Sequence, residues 1–223
     1  MDIVCLIFDG ITALDAIGPY EVLSRMPGAK LRFVAPRAEP VRTDSKVVCW
    51  TPESSIDEVE RCDVLLVPGG VGARRLQFDE RVLGWLREVD ATTKLTATVC
   101  TGSILLAASG MLRGRRATSH WAFLDELRPY GAEPVSERVV RDGKYASAAG
   151  VSAGIDLALT LALELCGRQT AEAIQLSIEY DPAPPLDAGS PGKVAPALRD
   201  ALYRRNHADD AELAALRSQP SRR

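Results

Sequence analysis

Histidine is nearly missing from this chain, which has only His120 and His207 among its 223 residues. The five cysteines, Cys5, Cys49, Cys62, Cys100 and Cys166, never stand as C-x-x-C. With so few imidazoles and no paired thiols, neither a structural zinc site nor another metal is expected. Aromatic residues make up only 5 % of the chain. The core must then be built from Val, Leu, Ile and Ala, which suits a buried parallel sheet covered by helices. Charge of one sign is also lacking: 27 Lys and Arg face 30 Asp and Glu, a formal net charge of −3. That balance gives no nucleic acid or anionic membrane a reason to bind. No apolar run is long enough to span a bilayer, and the opening Asp2 with its short apolar run has no basic start of a signal peptide. A cytoplasmic protein with free thiols is expected.

What is present is an alternation of apolar strands and helices. Ile3–Phe8, Leu31–Ala35, Val64–Val67 and Leu95–Val99 read as strands, with Val47–Trp50 as a minor one. Asp79–Asp90 has helical spacing, and Gly18-Pro19 is expected to open a short helix. Ile104–Ser109, Trp121–Leu127, Val151–Leu165 and Ala171–Ile178 read as further helices, and Val139–Ala146 as a hairpin turning at Asp142-Gly143. The fold class is α/β: a doubly wound, mostly parallel sheet flanked by helices, a flavodoxin-like sandwich. Residues 1–180 form the main domain. Residues 181–223 are broken first by prolines and are then charged and weakly helical, a peripheral segment whose final Ser221-Arg222-Arg223 is expected to be disordered.

Ligands of such sheets bind beyond the carboxyl ends of the strands. At one such end Leu95-Thr96-Ala97-Thr98-Val99 runs straight into Cys100-Thr101-Gly102-Ser103. A strand that stops at a cysteine and gives way at once to a helix of small residues has the pattern of a nucleophile elbow. The unpaired N–H groups of the helix start favour a thiolate, so a lowered thiol pKa is expected. Cys5, Cys62 and Cys166 lie in or beside apolar runs and read as packing residues. Pro68-Gly69-Gly70-Val71-Gly72 closes another strand. Alone it is an ordinary turn; beside Cys100, the Gly69 and Gly70 backbone is a candidate oxyanion site. Asp15 reads either as a helix-cap residue or as a carboxyl group that exchanges protons over the thiol, with Glu21 as a rival. His120 beside Trp121 reads as a packed residue, and His207 and the Arg113, Arg115, Arg116 cluster as solvated.

These motifs resemble the ThiJ/PfpI superfamily, which has the class I glutamine amidotransferase-like fold. The resemblance runs from Ile3 to about Pro191. It is carried by Leu14-Asp15 with Gly18-Pro19 and Glu21, by Val67-Pro68-Gly69-Gly70 and by Val99-Cys100-Thr101-Gly102-Ser103. It continues through Ala117-Thr118-Ser119-His120-Trp121 and Gly150-Val151-Ser152-Ala153-Gly154. Thr101 after the cysteine, Asp15 near the amino terminus and the proline-rich run Glu179–Pro191 are most similar to the isocyanide hydratase branch. The resemblance implies hydration of a small-molecule isocyanide to an N-substituted formamide through a covalent thioimidate on Cys100, with Asp15 as proton carrier. It implies that the N–H groups of Gly70 and Thr101 steady the intermediate and that the Thr101 hydroxyl orients the acid or the water. No cofactor is implied. A homodimer is, with the proline-rich segment reaching toward the partner.

Two other readings compete. One is glyoxalase or deglycase chemistry on reactive aldehydes through the same thiol. The other is a redox or ligand sensor related to the amino-terminal domains of AraC-type regulators, although no helix-turn-helix follows residue 180.

Overall fold

The structure is a computed structural model that describes residues 1–217; the terminal Ser221-Arg222-Arg223 lies outside the described residues. Eleven strands follow in chain order: β1 (Asp2–Leu6), β2 (Lys30–Ala35), β3 (Val41–Arg42), β4 (Cys49–Trp50), β5 (Ser54–Ser55), β6 (Val64–Val67), β7 (Leu95–Val99), β8 (Arg116–Ala117), β9 (Glu133–Pro134), β10 (Val139–Asp142) and β11 (Tyr145–Ala148). Seven of them form the main sheet in the order β10-β11-β7-β6-β1-β2-β5. All neighbours are parallel except the β10–β11 hairpin at one edge. β6 and β7 are buried at every position. Helices cover both strands on both sides, so β6 is wholly apolar and even the two threonines of β7, Thr96 and Thr98, are shut away from water.

The helices are α1 (Ala13–Leu23), α2 (Val71–Leu76), α3 (Glu80–Asp90), α4 (Gly102–Ala108), α5 (Ala153–Cys166), α6 (Arg168–Ser177), α7 (Pro196–Asn206) and α8 (Asp210–Arg217). α1 packs on α5 and α5 on α6, while α4 meets α2 and α3. Right-handed crossovers running both ways from β1 put these groups on opposite faces of the sheet. α3 begins where its capping chemistry dictates, since the Asp79 carboxylate accepts from the N–H groups of Arg81 and Val82. No helix among the described residues is long and apolar enough to cross a membrane.

Two expectations are corrected. Gly18-Pro19 does not open a helix; α1 starts at Ala13 and carries Pro19 inside it. Pro19 removes only the bond that its N–H would have given to the Asp15 carbonyl. Asp15 is therefore a first-turn helical residue with a fixed direction. His207 is not solvated either. Its ring stacks on Tyr203 with centroids 4.1 Å apart, and it lies 4.8 Å from the Phe123 ring. Trp121–Tyr130 is helical as expected, but in 3-10 turns. α2 was hidden in the sequence because its six residues are too few to show a period.

Candidate active site

β1 is flanked by β2 on one side and β6 on the other, so the order of connection reverses beside it. The crevice at that reversal gathers the segments that follow β1, β6 and β7. The first supplies Asp15, the second Gly69 and Gly70, the third Cys100.

Cys100 is the turn itself. Its φ is +58°, left-handed for a residue with a side chain, and its N–H donates to the Ala149 carbonyl at 2.9 Å. The hydroxyls of Ser103 and Ser119 both donate to its carbonyl at 3.0 Å. An L-residue held in this region costs about 1 kcal/mol, and these bonds are what keep it there. Cys100 is only 5 % exposed. Burial first, and then the negative charge of Asp15, push its pKa well above the ordinary thiol range, against the pull of the Val151 and Thr101 N–H groups. This corrects the expectation of a lowered pKa. A helix start stabilises a thiolate, but here a carboxylate shares the enclosure.

Asp15 is fully buried. Its Oδ2 accepts from the Gly69 N–H at 2.9 Å, and Oδ1 has no partner of hydrogen-bond geometry. Burial raises its pKa to about 7; the Gly69 N–H and the Cys100 thiol pull down, and the charge of Asp44 pushes up again. Asp15 and Cys100 titrate as one unit, with one proton between them above neutral pH.

The Gly70 N–H donates to Thr101 Oγ1 at 2.9 Å, and the Thr101 hydroxyl donates back to the Gly70 carbonyl at 3.1 Å. The expected duties of Gly69, Gly70 and Thr101 therefore change. A hydroxyl has one proton to give, and that of Thr101 is given to Gly70 rather than to an acid or a water. The Gly69 and Gly70 N–H groups are also engaged. The donors that face the sulfur are Thr101 N–H and Val151 N–H. Val151 was missed as a site residue. Its signal is slight: a β-branched residue between Gly150 and Ser152, found here at φ +27°. Gly69 cannot carry a side chain, because a Cβ there would stand 2.5 Å from Thr101 N and 2.9 Å from Asp15 Oδ2.

Glu21, the rival carboxyl, lies outside the crevice in an exposed ion pair with Arg25. His120 Nδ1 accepts from the Ala122 N–H at 3.3 Å. Burial, with help from His207, lowers its pKa, so the ring is neutral with its proton on Nε2. Cys5 is buried and, like Cys62, raised by desolvation, as packing thiols are. Arg115 and Arg116 are paired with Asp142 and Glu137 rather than merely solvated. Glu126, His207 and Asp210 bring ligand atoms within 4.8 Å of one another. Arg74 lies between the two carboxylates, 2.8 Å from Glu126 and 2.7 Å from Asp210, and takes up the charge a cation would need.

A parallel α/β sandwich with a cysteine on a strained strand-to-helix turn, faced by a buried carboxyl group, defines a class of cysteine-elbow proteins. This chain belongs to the DJ-1/PfpI family, whose model matches residues 1–164. It is 44 % identical over 200 residues to the isonitrile hydratase of Pseudomonas putida, covering 90 % of this chain and 87 % of that one. It is 34 % identical over 88 residues to the deglycase PH1704 of Pyrococcus horikoshii, covering 40 % of this chain and 53 % of the other. The crystal structure of a ThiJ/PfpI family protein from Pseudomonas syringae superposes with a TM-score of 0.91 at 34 % identity, covering 98 % of this chain and 90 % of that one.

Proposed function

We propose that the protein hydrates isocyanides to N-substituted formamides, with Cys100 as nucleophile and Asp15 as the proton carrier. The observation that carries this reading is the pairing of a buried thiol with a buried carboxyl group of pKa about 7 at one strand-end crevice. The likeness to an isonitrile hydratase over nine-tenths of the chain supports it.

The chemistry needs one proton moved twice. The terminal carbon of R–N≡C accepts the sulfur. The thiol proton passes to the Asp15 carboxylate as the S–C bond forms, and from the acid to that same carbon. This gives the thioimidate R–N=CH–S–Cys100. Water then adds to the CH carbon: one of its protons passes by way of Asp15 to the nitrogen, and the other stays on the new hydroxyl. Collapse of R–NH–CH(OH)–S expels the sulfur, which recovers its proton, and releases R–NH–CHO. The balance is isocyanide plus water, with no redox step. Thr101 N–H and Val151 N–H hold the sulfur while it bears charge. Gly69 N–H holds Asp15, and the Thr101 hydroxyl locks Gly70 beside it. The part of Gly69, Gly70 and the Thr101 side chain is thus to position the acid.

In the same reading the protein works in the cytoplasm as a homodimer. Its free thiols suit a reducing compartment. Residues 181–190 are exposed throughout, as a run that packs on a partner subunit would be in one chain alone. Sedimentation would distinguish dimer from monomer.

The test is formation of N-formyl product from a simple aryl isocyanide by wild type, Cys100→Ala and Asp15→Asn. Turnover lost in both variants is expected. An intact wild type with an alkylatable Cys100 and no product from any isocyanide would overturn the proposal and move the weight to aldehyde chemistry or redox sensing.

A further inference from the structure

Thr12-Ala13-Leu14-Asp15 has the spacing of a capping box. In such a box the hydroxyl of the first residue accepts from the N–H of the fourth, and the acid of the fourth accepts from the N–H of the first. Thr12 is the cap residue of α1, with an extended backbone, and Asp15 is the fourth. The box is nevertheless open on both sides. The Thr12 side chain accepts no N–H from the helix; its hydroxyl donates to Asp44 Oδ2 at 2.7 Å. The Thr12 N–H donates to the Gly69 carbonyl at 3.0 Å, and the Asp15 carboxyl accepts from the Gly69 N–H at 2.9 Å. An acid that caps its own helix turns back toward Thr12, whereas this one turns to Gly69 and the thiol.

Asp44 stands in the loop between β3 and β4, and that loop is fastened to the segment leading into α1. The Arg42 N–H donates to Asp9 Oδ1 at 2.8 Å, and the Gly10 N–H to the Arg42 carbonyl at 2.7 Å. The Asp44 N–H donates to the Ile11 carbonyl at 2.9 Å, and Asp44 Oδ1 accepts from the Ser45 N–H at 2.6 Å. The backbone thus holds one carboxylate oxygen and presents the other to Thr12. Asp44 is exposed and forms no ion pair among the described residues. Arg42, its basic neighbour, turns to the Lys46 carbonyl.

We infer that Asp44 is a positioning residue of the active site: by drawing off the Thr12 hydroxyl it keeps the capping box of α1 open and leaves the Asp15 carboxyl to Gly69 and Cys100. The inference rests on the proposed isocyanide hydration, in which Asp15 carries the proton. The charge of Asp44 acts in the same direction. After burial, it is what holds the proton on Asp15. The other titratable neighbours of Asp15 are the thiols of Cys100 and, from β1, Cys5. Asp156 of α5, the helix packed on α1, is taken up by Arg138 and Tyr180, and Glu21 of α1 itself by Arg25.

The test measures kcat/KM for a simple aryl isocyanide in wild type, Asp44→Ala, Asp44→Asn and Asp44→Ala combined with Thr12→Val. Asp44→Ala frees the Thr12 hydroxyl to cap α1. It is expected to lose roughly ten-fold in kcat/KM with no fall in melting temperature, because a cap replaces the lost bond. Adding Thr12→Val removes the capping hydroxyl and is expected to restore most of the rate, which a merely structural tether would not do. Asp44→Asn is expected to recover the rate as well. Its carbonyl accepts from the Ser45 N–H while its amide N–H donates to Thr12 Oγ1. Without the charge, the midpoint of its pH profile should fall by about half a pH unit at low salt. Wild-type kcat/KM in Asp44→Ala, or a loss that Thr12→Val does not relieve, would overturn the assignment while leaving the hydratase reading intact. Should wild type turn over no isocyanide at all, the hydratase reading fails separately. Iodoacetamide labelling of Cys100, with the exposed Cys49 as reference in the same sample, then decides the part of Asp44. Labelling slowed in Asp44→Ala and restored by Thr12→Val supports it, and equal rates overturn it.

Discussion

At the scale of single residues, the proton of the Asp15–Cys100 pair sets the pH behaviour. Below about pH 7 both groups are protonated, and above it Asp15 is free to take the thiol proton. In the proposed reaction kcat/KM therefore rises with pH through about 7 and holds on the alkaline side, where the thiol keeps its proton. Stability runs the other way. Asp15 has a folded pKa of about 7 against 3.8 in a free chain, so the native state binds the extra proton between those values. Its contribution is fully present below about pH 4 and is lost as pH rises through about 7. The upper bound is on the order of 4 kcal/mol. Asp15→Asn, which cannot ionise, should be more stable than wild type at pH 8 and should lose that advantage at pH 4. Urea denaturation of the two proteins at both pH values measures this, and an advantage that does not change with pH would contradict the burial argument. Cys100 and Asp15 were both visible in the sequence, one from its strand-to-helix setting and the other from its place near a strand end. The direction of the thiol pKa was not. It depends on a carboxylate 85 positions away in the chain entering the same dry enclosure, which no local pattern reports.

At the scale of elements, the turn at Cys100 holds strain that can be measured. A glycine at φ +58° has no Cβ to crowd the following carbonyl. Cys100→Gly should thus be about 1 kcal/mol more stable than Cys100→Ala, the reverse of what the same pair gives in a helix. Thermal melts of the two inactive variants test this, and equal melting temperatures would remove strain from the account. Thr101 offers a second measurement. Thr101→Val leaves the buried N–H of Gly70 without its partner, at a cost of about 1–3 kcal/mol, while the Gly70 carbonyl keeps the Ala73 N–H; Thr101→Ser keeps both Thr101 bonds. Retained stability in the valine variant would show that Gly70 finds other partners. The central strands β1, β2, β6 and β7 were legible because they are short buried stretches with sharp ends, whereas β5 at the sheet edge, two serines long, was not. α1 was not, because Gly18-Pro19 imitates a helix start. Only the packing of α1 on α5 shows that the helix runs through it.

For the whole molecule, the last forty residues were read as a peripheral, charged segment, and their ties to the body were not legible. α8 returns to the main layer. Leu213 is 8 % exposed, and Asp210 joins Glu126 on the buried guanidinium of Arg74, which also lies 4.4 Å over the Phe123 ring. The pairing spans 136 positions of sequence and leaves no local periodicity to detect. Arg74 suits it because one planar group serves two carboxylates and an aromatic face at once. Arg74→Ala would leave two like charges facing each other and a hollow under Phe123. The expected cost is about 2 kcal/mol, because Asp210 is half exposed and screened by water. For a chain of this size the melting temperature should fall by roughly 4–8 °C. The effect should also reach the Trp121–Tyr130 turns, since Tyr203 of α7 rests on Trp121 and His207 on Phe123. With α8 released, early protease cuts should fall within residues 196–217. A lowered melting temperature with an unchanged cutting pattern would mean that Arg74 supports only the core around Phe123, and that α8 stays docked without it.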